Sequence, residues 1–149
     1  DGGNTNDWRR MFDVNVLGVL YTTHAVLPIF KVQQTGHVVN ISSVAGRIAR
    51  AGVGIYNATK WGVNAFSEAL RQEVLRDNIR VTIIEPGLVK TEINNHTTDP
   101  VAKQISEERL KAIVPLQSED VAAAIIYAVT QPSHVNVNEI LIRPTLQER

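Results

Sequence analysis

Cysteine is absent from the 149 residues, which excludes disulfides, thiolate nucleophiles and cysteine-bound zinc. Aromatic residues are scarce, at 5% of the chain. An excess of either charge is also missing: 15 Lys and Arg stand against 15 Asp and Glu, for a formal charge of zero. A neutral chain lacks the electrostatic footprint of a nucleic-acid or anionic-membrane binder. Its longest uninterrupted apolar run, 121–129, is far short of the ~18 residues that a spanning helix needs. Repeats, low-complexity tracts and long charge blocks are lacking. His24, His37, His96 and His134 show no metal-ligand spacing, so no metal is expected. The chain opens on Asp1-Gly2-Gly3-Asn4, with neither an initiator Met nor a charged-then-apolar leader. The remainder is 44% hydrophobic, which suits one globular domain with a core, expected in the cytoplasm.

The apolar pattern alternates in type along the chain. Residues 6 to about 30 carry Trp8, Met11, Phe12, Val16, Val19 and Leu20 at helical spacing, with Thr5 or Asn6 available as a cap. The β-rich run 37–41 follows the Thr35-Gly36 breaker and reads as a strand, and 42–54 reads as a glycine-rich loop. A second helix spans 55–77, with Asn78 as its left-handed stop. The β-branched run 80–85 ends at Pro86-Gly87. The polar stretch 91–115 predicts a loop with a short helix started by Asp99-Pro100. Ser118-Glu119-Asp120 opens another helix to about 130, and 139–142 makes a last short strand. Continuous apolar strands separated by helices predict an α/β fold with a doubly wound parallel sheet, in the order α-β-α-β-α-α-β.

Tyr56 and Lys60 lie at i and i+4 on the second helix, so their side chains share a face. A phenol titrates near pH 10 and is a poor base at neutrality, and a neighbouring ammonium is expected to lower that value. Such a pair can give and take a proton at a carbonyl/alcohol couple. Alone it is a weak signal. Ser43, with Ser42 as its rival, follows the first strand at the carboxyl end of the sheet, where open α/β folds bind ligands. Asn15 lies inside the first helix, Pro86-Gly87 ends the second strand, and Thr91 either serves the site or caps the next helix. Asn40, Asn57 and Asn95 each begin a glycosylation sequon, but two of these fall in the strand and helix that carry the candidate catalytic groups, so modification is not expected.

Four segments in order, Asp-Val-Asn-Val (13–16), Asn-Ile-Ser-Ser-Val-Ala-Gly (40–46), Tyr-Asn-Ala-Thr-Lys (56–60) and Pro-Gly-Leu-Val-Lys-Thr (86–91), resemble the short-chain dehydrogenase/reductase family over essentially the whole chain. The resemblance implies Tyr56 as general acid/base and Ser43 as the group that orients the substrate carbonyl. It implies that Lys60 lowers the tyrosine pKa and binds the nicotinamide ribose. Asn15 would hold, through its backbone, a water linking Lys60 to solvent. Pro86, Gly87, Val89 and Thr91 would cover the nicotinamide, with the Val89 amide and Thr91 hydroxyl near its carboxamide. The implied activity is hydride transfer between NADP (or NAD) and a small alcohol or carbonyl, in a homotetramer or homodimer. Segments 63–74 and 139–145 are similar to the branch of NADP-dependent 3-hydroxy acid (serine-type) dehydrogenases and clavulanic acid dehydrogenase-like aldehyde reductases.

The family's glycine-rich phosphate turn has no counterpart here, nor do its ribose discriminator and its Asn-Asn-Ala-Gly strand end. Family members run to about 250 residues. The chain is therefore expected to be the C-terminal, catalytic part of a Rossmann-type domain, inactive alone. Two other readings are an inactive truncated interaction module and an epimerase or dehydratase sharing Tyr-x-x-x-Lys. Segments 40–43 and 86–91 and the early C-terminus speak against the epimerase or dehydratase. Residues Ile93, His96, Ile105 and Leu110 are expected to line the substrate pocket.

Overall fold

A computed structural model describes residues 3–92, 98 and 100–148. Helix α1 (Thr5–Phe12) starts at Asn4, whose extended backbone lets its side chain accept the Asn6 amide at 2.9 Å. The cap thus lies one residue before the expected Thr5 or Asn6. After α1 the helix widens into a π turn (Asp13–Leu17), where the Gly18 amide reaches back to the Asp13 carbonyl, and then continues as α2 (Gly18–Gln33). The rod passes through Pro28 and stops three residues beyond the expected end, where Gln34 turns left-handed at φ 51°. By length and a mean hydropathy of 1.2, Thr5–Gln33 could cross a membrane, although no long apolar run marks it. In this fold it packs against β1 and α3.

Strands β1 (Gly36–Ile41), β2 (Ile79–Pro86) and β3 (Glu139–Ile142) form a parallel sheet in the order β1-β2-β3. Gly36 pairs with Ile79, Ile41 with Ile84, and Pro86 with Ile142. Helix α3 (Gly54–Val74) joins β1 to β2, and α4 (Pro100–Ala112) and α5 (Ser118–Val129) lie between β2 and β3. This is the Rossmann-type α/β arrangement expected. Both alternating side-chain sets of the central strand β2 are buried, as a strand covered on both faces requires. Leu70 and Val74 of α3 pack with Val38, Ile79 and Val81, joined by Leu27, Phe30 and Phe66. Helix α5 also packs against β2 and buries Ala128 completely.

Of two further end signals read from sequence, one holds and one shifts by a residue. Asn78 is the left-handed stop expected, at φ 54°, but α5 is capped by Gln117 rather than Ser118. Gln117 and Asp120 close a reciprocal capping box, the Asp120 carboxylate accepting the Gln117 amide at 2.8 Å. The helix opened by Pro100 runs for 13 residues, longer than the polar composition of 91–115 predicts.

Strand β1 forms one edge of the sheet. Along it an open cavity of about 620 Å³ runs between the strand and the rod, from Phe30 and His37 at one end to Asn15 and Lys60 at the other. Its position is that of an unpaired sheet edge among the described residues, and the candidate catalytic residues Ser43 and Tyr56 are not among its lining.

Candidate active site

The chain crosses the carboxyl end of β1 with Ser42 and Ser43, both buried, and then tightens into a 3₁₀ turn (Val44–Gly46). Ser43 caps this turn: its Oγ accepts the Ala45 amide at 3.1 Å, and the Gly46 amide closes on the Ser43 carbonyl at 2.9 Å. The single Ser43 proton can point to the Pro86 carbonyl, at a long 3.4 Å, or toward the Tyr56 hydroxyl, whose pKa Ser43 lowers. A weak first partner leaves the hydroxyl ready to turn to the second. Ser42 points elsewhere, toward the Lys60 carbonyl at 3.4 Å, so of the two rival serines it is Ser43 that meets the tyrosine.

Helix α3 brings Tyr56 and Lys60 to the same place. The Lys60 ammonium donates to the Ile41 carbonyl at the end of β1, at 3.0 Å, and sits 5.8 Å from the centre of the Tyr56 ring. Burial lowers the Lys60 pKa, because the ammonium has left water. Burial also raises the Tyr56 pKa, while the hydrogen bond to Ser43 pulls it back down. The direction is opposite to the lowering expected from Lys60: desolvation of the phenol is the largest influence, and the downward pull comes from Ser43.

Asn15 sits in the π turn and donates to the Thr59 hydroxyl at 3.3 Å. Thr59 is fully buried and in turn donates to the Tyr56 carbonyl at 2.8 Å. The rod is thereby tied to the helical turn between Tyr56 and Lys60. Asn57, beside the tyrosine, is buried and donates to the Ala45 and Ile48 carbonyls at 2.7 and 2.8 Å, while accepting the Arg50 amide at 3.3 Å. Both amide hydrogens are used, so this sequon asparagine is a clamp between helix and turn. Asn40 is likewise buried and donates to Ser67 at 2.9 Å. The sequence marks Asn57 only as a sequon and gives no signal for the bonds of Thr59, although both lie inside the Tyr-Asn-Ala-Thr-Lys motif.

Pro86 and Gly87 leave β2 beside the Ser43 turn. The Gly87 amide donates to Ile142 at 2.8 Å, and the Leu88 amide to the Gln147 side chain at 2.8 Å. Val89 makes a parallel bridge with Leu116 through its neighbours, the Lys90 amide and the Leu88 carbonyl. The Val89 N–H and C=O consequently face the opposite side. Thr91 is exposed and borders, with Lys90, Glu92 and Gln117, a second cavity of about 630 Å³. Of the residues expected around the substrate, Ile93 and His96 lie outside the described residues, as does Asn95; Ile105 is exposed and Leu110 half-buried on α4.

A family model described as short chain dehydrogenase matches residues 2–102. An uncharacterized oxidoreductase of Staphylococcus saprophyticus is 44% identical over 145 residues, covering 95% of this chain and 58% of that protein. Another uncharacterized oxidoreductase, of Staphylococcus aureus, is 41% identical over 139 residues, covering 93% and 55%. The chain spans a little more than half the length of these curated relatives. Among solved structures, the closed form of a serine dehydrogenase complexed with NADP+ superposes with a TM-score of 0.92 at 38% identity, over 99% of this chain and 60% of that one. The crystal structure of serine dehydrogenase from Escherichia coli gives 0.81 at 35% identity, over 99% and 58%. Sequence, fold and the convergence of Ser43, Tyr56 and Lys60 at one sheet end agree, and the chain belongs to the short-chain dehydrogenase family.

Proposed function

We propose that the protein containing this chain is an NAD(P)-dependent oxidoreductase acting on a small alcohol or carbonyl, with Tyr56 as its general acid/base. The observation that carries the reading is the Lys60 ammonium 5.8 Å from the Tyr56 ring, one helical turn along the same face, with Ser43 at the end of β1 close enough to pull the phenol pKa down. Tyr56 stays protonated at neutral pH because burial raises its pKa, so it serves first as a donor. When a carbonyl is reduced, Tyr56 gives its proton to the developing alkoxide while Ser43 donates a second hydrogen bond to the same oxygen and orients it. The oxidation direction reverses these proton movements. Lys60 stabilises the phenolate left behind. A π turn passes over one helical carbonyl, which gives the backbone around Asn15 an acceptor for a water toward Lys60.

The residues present fit a nicotinamide cofactor. Lys60 carries three N–H donors, one of them on Ile41, which suits contact with ribose hydroxyls. The Val89 donor and acceptor face away from Leu116, matching the two edges of a carboxamide, and Pro86, Gly87 and Thr91 flank that segment. When bound, the cofactor supplies or accepts the hydride. NADP is favoured over NAD by the NADP+ named in the serine dehydrogenase complex and the NADP named in other solved relatives. The serine dehydrogenases among those relatives favour a 3-hydroxy acid substrate. A phosphate-binding part of the domain, absent from this sequence, would continue the sheet from β1. A homodimer or homotetramer in the cytoplasm completes the reading.

The test is nicotinamide absorbance with the full-length protein, offered 3-hydroxy acids, aldehydes and secondary alcohols with each cofactor. Turnover is expected with NADP, and Tyr56→Phe is expected to remove all but a trace of it with the fold intact. Retained turnover in that variant overturns the role of Tyr56.

A further inference from the structure

The stripe of β2 side chains facing α3 reads Ile79, Val81, Ile83 and then Glu85, a carboxylate where the pattern calls for a hydrocarbon. Glu85 is completely buried. Burying a carboxylate is unfavourable unless donors meet both of its oxygens. Here they do: Oε1 accepts from Asn64 Nδ2 at 2.7 Å and Oε2 from Arg47 Nε at 2.5 Å.

Both donors lead to the turn that carries Ser43. Arg47 is the residue at which the Val44–Gly46 turn ends, and its guanidinium also reaches Glu139 on β3. Asn64 stands on α3 one turn beyond Lys60, and the same Nδ2 that meets Glu85 donates to the Gly46 carbonyl at 3.2 Å. Gly46 permits that approach: a Cβ there would come within 2.7 Å of Asn64 Nδ2 and 2.9 Å of Ser42 Oγ. One carboxylate thus holds the turn from two sides, against α3 through Asn64 and against the sheet through Arg47. Ser43 begins this turn, and Tyr56 lies on the helix against which it is held.

We propose that Glu85 is a positioning residue that, through Arg47, Asn64 and the Gly46 turn, holds the Ser43 hydroxyl against Tyr56. It touches neither substrate nor cofactor. The proposal rests on the oxidoreductase reading for its catalytic consequence, but not for its geometry. Without Glu85 the turn keeps its Asn57 clamp and loses the other, so Ser43 shifts by a fraction of its present contact rather than leaving the site. A displacement of about 1 Å at a reacting group is enough for a rate loss approaching 100-fold.

The decisive variant is Glu85→Gln in the full-length protein. A glutamine has one acceptor and one donor where both neighbours donate, so one of the two bonds fails whichever way the amide faces. Two readouts are taken, one of them independent of turnover. The first is the ultraviolet titration of the Tyr56 phenol, isolated as the difference from Tyr56→Phe. It is expected to move to higher pH by on the order of half a pH unit or more, because the pull of Ser43 that holds the value down is weakened. The second is kinetic: kcat falls by about 10- to 100-fold while the KM for cofactor changes by less than about 3-fold. Asn64→Leu, which removes the arm from Glu85 to the Gly46 carbonyl and leaves the carboxylate and the turn's own residues in place, is expected to move both readouts the same way, and it decides the matter if Glu85→Gln does not fold. Glu139→Gln, which removes only the exposed arm of Arg47, is expected to leave the Tyr56 titration in place. A Glu85→Gln protein that melts earlier yet titrates Tyr56 and turns over as the parent does overturns the proposal and leaves the ion pair purely structural. Absence of turnover with any cofactor in the parent protein defeats the oxidoreductase reading instead, and the phenol titration still judges Glu85.

Discussion

His37 shows how far single atoms can be assigned. The Thr82 hydroxyl donates to the Val137 carbonyl at 2.7 Å, so its 2.7 Å bond with His37 Nε2 must run from the imidazole to the hydroxyl. Nε2 therefore carries a proton, and Nδ1 is buried with no hydrogen-bond partner among the described residues. Burial, with Arg80 nearby, pulls its pKa down to about 4 from 6.5. Between those values the unfolded chain binds the proton and the folded chain does not, so stability is complete above pH 6.5 and is lost as pH falls toward 4. Denaturant melts of the full-length protein are expected to lose on the order of 1 kcal/mol over that window, the ring being still partly solvated. His37→Gln is expected to flatten the slope. At this scale the sequence announced Ser43, Tyr56 and Lys60, because their motifs are local and their spacing is set by one strand end and one helix. Glu85 was visible only as a charge closing an apolar strand. Its partner Arg47 lies 38 residues away, a distance over which no local pattern speaks.

Elements were legible wherever hydrophobic period and breaker agreed. Three strands, the helix that carries the tyrosine and its Asn78 stop follow the sequence pattern closely. The ends were less so, because a cap is chosen by which side chain reaches the first amides, and neighbours compete for that task. Asn4 wins over Thr5 and Asn6, and Gln117 over Ser118. The π turn at 13–17 has no sequence signature at all. Two outcomes follow from these ends. Asp120→Ala is expected to remove the α5 capping box and lower stability by about 1 kcal/mol in denaturant melts. Gln34→Gly relieves a left-handed residue at the end of α2, at the loss of the 2.9 Å bond from its side chain to Lys31. It is expected to raise stability by less than about 1 kcal/mol.

Across the whole molecule, the feature with the widest reach is the open side of the sheet. Among the described residues β1 has no neighbour on one edge, and the rod beside it exposes Tyr21, Ile29 and Val32, the last at 87%. An apolar surface next to a bare strand edge favours association with other chains. Residues 1–149 produced by themselves are expected to aggregate and to give no cooperative melt, whereas the full-length protein melts sharply; a sharp transition in the isolated 149 residues refutes this. The buried asparagines carry a consequence of another kind. Asn40 and Asn57 spend their amide hydrogens on Ser67, Ala45 and Ile48 inside the fold, yet each begins an Asn-x-Ser/Thr triplet. An oligosaccharide attached to either while the chain is still being threaded into a secretory compartment would leave no room for these bonds. Production through a glycosylating export route is therefore expected to yield misfolded, sugar-bearing material, and a host that keeps the chain beside its ribosomes is the one that can deliver the native sheet.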